Sequence, residues 1–220
     1  MSAVLLERIT AGPWQTNTYV LAAGPQSPCV VIDPGFDAEP LIDVVLARHD
    51  LTPAGIVLTH GHLDHVASVP NVAASHGLTV WIHPEDEVLL SDPAAGLSPE
   101  SKPLLEQFYG TAKPIFRPEK LKHINDGDEV SIGGVHLRVW HSPGHTPGCV
   151  VLTTDSERLM LSGDVLFNQG VGRTDLPRSD PAAMKTSLTR IMDTFDDGVE
   201  VYPGHGPSTT IGSERSRAIQ

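Results

Sequence analysis

Basic charge is scarce in this chain. Fifteen Lys and Arg stand against 27 Asp and Glu, a formal charge of −12. Gripping a phosphate backbone takes a basic face, so no nucleic-acid partner is expected. Cysteine is nearly absent. Cys29 and Cys149 lie in the apolar runs Pro28-Cys29-Val30-Val31-Ile32 and Gly148-Cys149-Val150-Val151-Leu152, which read as buried thiols rather than a disulfide pair. No apolar run approaches the ~18 residues of a membrane span, so no membrane partner is expected either. The start, Met1-Ser2-Ala3-Val4-Leu5-Leu6-Glu7-Arg8, has no basic segment followed by a long apolar one, so no secretory signal is expected. A reduced cytoplasm is the default location. What remains is ordinary globular composition, 40% hydrophobic and 19% charged over 220 residues, enough for one sizeable core or two small ones.

Gly (20) and Pro (19) are plentiful and punctuate many short elements. Strands are expected at residues 4–9, 16–22, 29–32, 56–59 and 78–82, with helices at 37–48 and 64–75. Residues 128–132 and 135–140 read as a hairpin around Gly133-Gly134, and 148–154 and 158–162 as a second strand pair. A helix is expected over 181–195, with Met184, Leu188, Ile191 and Met192 on one face, then a short strand at 199–202. The polar tail after Ser208 shows no clear core element. Between the halves, Pro84, Pro93, Pro99, Pro103, Pro114 and Pro118 break the pattern over 84–118. Short helices near 85–90 and 102–109 fit there. Such an insertion is a lid, a cleft wall or a surface excursion without a role. One domain, 1–220, built from two similar halves accounts for the pattern.

The chemistry concentrates in Thr59-His60-Gly61-His62-Leu63-Asp64-His65. It follows the apolar, β-branched run Gly55-Ile56-Val57-Leu58, so three imidazoles and a carboxylate sit in a loop at a strand's end. Imidazole and carboxylate suit zinc, iron and similar ions. One tetrahedral ion could not use all four from so short a loop, whereas two ions could share them. Three later strand ends carry further candidates. They are His145 in Pro143-Gly144-His145-Thr146-Pro147-Gly148, Asp164 in Ser162-Gly163-Asp164-Val165, and His205 in Pro203-Gly204-His205-Gly206. Asp33, in Ile32-Asp33-Pro34-Gly35, is either an acceptor for a ligand histidine's second N–H or only a turn residue. The other six histidines, His141 among them, read as surface or structural.

The succession THxHxDH, GHTPG, GD and PGHG resembles the metallo-β-lactamase superfamily, from about residue 4 to 210. The resemblance implies an α/β fold, a four-layer αββα sandwich. It implies two divalent metal ions, zinc first, with iron or manganese accepted by the same donors. One ion would take His60, His62 and His145, the other Asp64, His65 and His205, with Asp164 bridging. Asp64 and Asp164 become the carboxylates on which catalysis depends. Within the superfamily the chain looks most like short bacterial glyoxalase II proteins, the hydroxyacylglutathione hydrolases. The pointer is Phe167-Asn168-Gln169-Gly170-Val171-Gly172-Arg173-Thr174-Asp175. Arg173 matches that group's basic residue for the thiol carrier's carboxylate. Three features of the larger glyoxalase II enzymes are missing: their C-terminal helical domain, the tyrosine after the last ligand histidine (Gly206 stands there) and the aromatic near the loop's basic residue (Asp175 stands there).

The implied reaction is hydrolysis of a small thioester, such as S-lactoylglutathione or a related acyl-thiol, by hydroxide held between the ions. A thiolate leaves with a pKa of roughly 8–9 and needs no general acid, whereas an amide nitrogen does. The alternative is a persulfide dioxygenase-like oxidoreductase, whose members share GHTxGC and GRTD runs and bind one iron. Here that iron would sit on His60, His145 and Asp164. Neither the thiol carrier nor the oligomeric state is readable from the sequence.

Overall fold

The computed structural model describes residues 4–110, 114–154 and 158–217. Strands β1 (Leu5–Ala11), β2 (Thr16–Ala22), β3 (Pro28–Ile32), β4 (Thr52–Val57), β5 (Val80–Ile82) and β6 (Leu121–His123) form one six-stranded sheet in sequence order. The first two pairings are antiparallel and the next three parallel. Parallel pairing needs crossovers. These are α1 (Glu39–His49), then α2 (Leu63–Val66) with α3 (Val69–His76), then the segment holding α4 (Glu87–Ser91) and α5 (Pro103–Tyr109).

The second sheet contains β7 (Glu129–Ile132), β8 (Val135–His141), β9 (Val150–Thr154) and β10 (Leu159–Gly163). A two-stranded ribbon, β11 (Leu166–Phe167) and β12 (Gly170–Val171), and helix α6 (Pro181–Thr194) lead to β13 (Glu200–Pro203) and β14 (Thr209–Thr210). The spatial order is β14-β13-β10-β9-β8-β7. Gly133 and Gly134 turn the β7–β8 hairpin at φ +59° and +81°, the double left-handed turn for which glycine is suited.

Period-two alternation sorts the strand side chains into layers. Val20, Ala22, Cys29, Val31 and Ile56 face an outer core under α1 and α3. Their neighbours Tyr19, Leu21, Val30, Ile32 and Val57 face Leu137, Val139, Val150, Leu152 and Leu161 of the second sheet. On that sheet's far side Val151, Met160 and Val201 meet Met184, Leu188, Ile191 and Met192 of α6. Three cores between four layers make an αββα sandwich. A fully buried aliphatic side chain is worth about 1.5–3 kcal/mol, and a one-residue slip would turn every such residue to the wrong layer. Cys29 and Cys149 lie in opposite outer cores, so the double sheet separates them.

The structure departs from the expected elements in four places. The helix expected over 64–75 breaks at Ala67-Ser68, because Pro70 enters in the first turn of α3, where a missing N–H costs nothing. The tail is not featureless: β14 pairs with β13, and α7 (Ile211–Glu214) buries Ile211 fully. Within 84–118, Asp86, Leu89, Leu90 and Phe116 are buried, so both ends of the stretch belong to the body of the molecule. The fourth departure is β6, just beyond that stretch, where no strand was expected; it pairs with the parallel edge.

Candidate metal centre

The site lies where strand ends converge. The motif loop follows β4, and residues 142–149 join β8 to β9. β10 and β13 run parallel with Gly163 opposite Pro203, so Asp164, one residue beyond, and His205, two beyond, emerge at the same edge. Strand-to-loop bonds tie the two sheets at this edge. Val150 N donates to Thr59 O at 2.8 Å and Asn17 N to Gly204 O at 2.7 Å.

All seven residues singled out as ligands meet here. Donor atoms of His60, His62 and His145 lie within 4.8 Å of one another, as do those of Asp64, His65 and His205. Asp164 stands between the two groups: its oxygens are 3.4 Å from His145 Nε2, 3.3 Å from His65 Nε2 and 3.5 Å from His205 Nε2. Asp64 Oδ2 is 3.2 Å from His205 Nε2 and accepts from Thr16 Oγ1 at 2.9 Å.

Hydrogen bonding at the far side of each ring decides which nitrogen faces inward. His65 Nδ1 donates to Asp33 Oδ2 (3.0 Å), His145 Nδ1 to Arg173 O (2.8 Å) and His205 Nδ1 to Trp14 O (3.1 Å). Thr59 Oγ1 donates to Asp33 Oδ2 and accepts from His60 Nδ1 at 3.1 Å. Four histidines therefore present Nε2 to the centre. His62 is the exception, with Nδ1 2.8 Å from His145 Nε2. Asp33 is also near His60 and His65, yet its oxygens are taken by Thr59 N, Thr59 Oγ1 and His65 Nδ1. It orients His65 directly and His60 through Thr59, and its turn conformation (φ +48°) serves that same role.

This donor set fits divalent ions. His60 Nε2, His62 Nε2, His65 Nε2 and Asp164 Oδ1 are buried and have no hydrogen-bond partner. An unpaired buried polar atom costs about 1–3 kcal/mol, and three of these in one cluster, His60 Nε2, His65 Nε2 and Asp164 Oδ1, are what a cation would satisfy; His62 turns Nδ1 to the centre instead. The field favours positive charge. Burial is the largest influence on His65 and opposes its charging, yet Asp64, Asp164 and Asp33 outweigh it and raise the imidazole. His205 is raised to about 9, again against burial, by hydrogen bonds to Asp164 and Asp64. His62 is lowered to about 3 by burial and by His145, so it stays a neutral donor.

A cavity of about 160 Å³ opens beside the cluster, walled by Trp14, Leu97, Ser98, Ser101, Leu176 and Arg173. Arg173 is placed as the sequence suggests, but its guanidinium is engaged by Asp175 through Nε (2.7 Å) and Nη2 (2.8 Å). Sequence reasoning missed the part its backbone plays in orienting His145. Thr59 and Asp86 were also missed, because neither a lone threonine nor one acid in Glu85-Asp86-Glu87 carries a distinguishing signal. A fourth group, His83, Glu85 and His141, lies apart. The rings of His83 and His141 stack at 4.0 Å and 9°, so their in-plane lone pairs run side by side rather than converging.

A family model described as the metallo-beta-lactamase superfamily matches residues 11–205. The chain belongs to that superfamily. It is 34% identical over 211 residues to "Probable metallo-hydrolase YqgX" of Bacillus subtilis, covering 96% of this chain and 94% of the relative. It is 33% identical to "Hydroxyacylglutathione hydrolase GloC" of Haemophilus influenzae, covering 84% and 83%. Among solved structures, the BLEG-1 B3 metallo-beta-lactamase superposes with TM-score 0.82 at 37% identity, covering 97% and 98%. TTHA1623 in a di-iron-bound form superposes at 0.78 and 34%, covering 96% and 98%. ETHE1 from Myxococcus xanthus does so at 0.74 and 25%, covering 98% and 83%. The superfamily and its His/Asp clusters make this a metal-binding protein of the metallo-hydrolase type. Among the described residues no helix is long and apolar enough to cross a membrane.

Proposed function

We propose that the protein hydrolyses small acyl thioesters in the cytoplasm, using two divalent ions. His60, His62 and His145 would hold one, Asp64, His65 and His205 the other, and Asp164 both. Zinc suits these donors, and iron does too, as the di-iron form of TTHA1623 illustrates. Bound there, such ions bring water's pKa to around 7 and polarise a carbonyl oxygen.

The observation that carries this reading is an acyl-sized cavity beside seven gathered donors. Ligand pockets for drug-sized molecules run to roughly 300–1,000 Å³. At about 160 Å³ this one takes a short acyl group and leaves the thiol carrier outside. Trp14, Leu97 and Leu176 shed water from the acyl chain, while Ser98 and Ser101 offer hydroxyls to a polar one. Among the described residues outside the donors, the lining has no group that protonates a leaving atom: the serines are too weak as acids, and a guanidinium stays charged. A thiolate leaves unaided, whereas an amine does not. The likeness to GloC supports the same substrate class.

The test is S-lactoylglutathione cleavage by metal-loaded protein, followed as loss of thioester absorbance beside a chelated control. Chelator-sensitive turnover at kcat/KM of about 10⁴ M⁻¹s⁻¹ or better is expected. Absence of turnover on this ester and on the lactoyl ester of an uncharged thiol would overturn the proposal. The persulfide dioxygenase-like reading draws on the runs at 144–149 and 173–175 and on the likeness to ETHE1. One iron per chain with oxygen uptake on a persulfide would replace the hydrolase by it.

Arg173 gives a sharper expectation about the carrier. Its guanidinium fits a carboxylate bidentately, but Asp175 already occupies the fork. Arg173→Ala will raise KM for an anionic thioester several-fold with little change in kcat. Asp175→Asn will lower that KM, and a neutral thioester will respond to neither change. An unchanged KM in Arg173→Ala removes this side chain from the substrate site.

A further inference from the structure

We propose that Asp86 is a positioning residue for the three-histidine half of the centre. On this view its buried carboxylate locks together the two loops that carry His60, His62 and His145, and so sets that half's affinity for its ion. The proposal rests on the reading of those histidines as ligands.

Asp86 belongs to neither loop. It ends a short 3₁₀ turn, Pro84–Asp86, between β5 and α4, and it is completely buried. Its Oδ2 accepts from Gly61 N at 2.9 Å and from Thr146 Oγ1 at 2.6 Å, and its Oδ1 accepts from Gly148 N at 2.8 Å. Gly61 separates His60 from His62, and Thr146 follows His145. One side chain thus holds a loop of the N-terminal half and a loop of the C-terminal half in register, 60 residues from Thr146 in sequence. Among the described residues no ion pair involves it; two peptide N–H groups and a hydroxyl satisfy it. Such an arrangement is intolerant. A Cβ on Gly148 would come within 2.6 Å of Asp86 Cγ, so the glycine in Thr146-Pro147-Gly148 is there to admit the carboxylate.

Asp33 offers the comparison. It grips Thr59 and His65 in the same manner, but it reaches only the motif loop and touches a ligand directly. Asp86 touches no ligand, and it alone of the two bridges the loops of the mixed trio. The separation between Nδ1 of His62 and Nε2 of His145, 2.8 Å, is therefore set from behind by Asp86.

Asp86→Asn keeps the shape but turns an NH₂ toward peptide N–H groups, so at least one of the three bonds is lost. Outer partners of metal ligands typically contribute 10–100-fold in affinity. Zinc titration of the full chain against a competing chelator should show two binding steps. In Asp86→Asn one step is expected to weaken 10–100-fold while the other stays within about two-fold, because the second trio does not meet this carboxylate. Thr146→Val, which deletes one donor and no ligand, is expected to weaken the same step by a smaller factor. It decides the matter should Asp86→Asn fail to fold. His145→Ala serves as the reference. If it binds both ions as the parent does, the ligand assignment itself is wrong. If His145→Ala loses one step while Asp86→Asn, or Thr146→Val in its place, leaves both unchanged or weakens both equally, the assignment stands and the role of Asp86 is refuted.

Discussion

Replacing Asp164 by Ala will lower kcat/KM by about 10³-fold or more and reduce the bound metal from two ions per chain to one or none. Among the described residues its carboxylate alone stands within 3.5 Å of histidines from both trios, His145 on one side and His65 and His205 on the other. Removing it deletes the shared donor. It also removes negative charge from a buried field that otherwise favours cations. Elemental analysis of the purified variant and thioester kinetics give the answer together. Two ions per chain with parental turnover would mean that Asp164 shares nothing. Retained solubility and an unchanged unfolding temperature in the chelated state would show that a lost activity is local.

Chelation will lower the melting temperature of the intact protein by roughly 8–16 °C. A ligand at 1,000 times its Kd adds about 4 kcal/mol of stability when it binds only the folded state. For a chain of this length each kcal/mol moves the midpoint by about 2–4 °C. The structural reason is the three buried unpaired atoms that face the centre, His60 Nε2, His65 Nε2 and Asp164 Oδ1, which are left uncompensated when no cation is present. Thermal unfolding with and without chelator, followed by zinc add-back, measures it. A midpoint that moves by less than about 1 °C would mean that the centre contributes nothing to the fold.

The sequence was most readable where one local rule governed one element. A short β-prone run between turn residues gave β2 at its observed bounds, Thr16–Ala22, and a spaced apolar stripe gave α6 to within a residue. The donors were legible because histidine is rare and its strand-end placement is chemically unusual. What escaped depended on partners distant in the chain. β6 is three residues long and exists because β5 offers a parallel edge; Leu121, Lys122 and His123 have no strand pattern of their own. α7 is four residues long, and the burial of Ile211 among α6 and β13 side chains holds it. Asp86 looked like one acid among three, and only the fold shows Gly61 and Gly148 converging on it. Arg173 was legible as a cation near a site. Its capture by Asp175, two residues away, was within reach of the sequence, since both side chains belong to one loop.

Each trio draws its members from both halves of the chain: His60 and His62 with His145, and Asp64 and His65 with His205. An ion seated in either therefore acts as a covalent-like crosslink, closing a loop of 83 residues between His62 and His145. Loops of that length lose considerable conformational freedom on closure, so each ion restrains the chain as a staple does. On the proposed ligand assignment, metal supply would govern not only whether the protein can react but how firmly its two halves stay clasped. A cut in the proline-rich connection would leave two pieces, neither of which owns a complete trio, joined for as long as the ions remain.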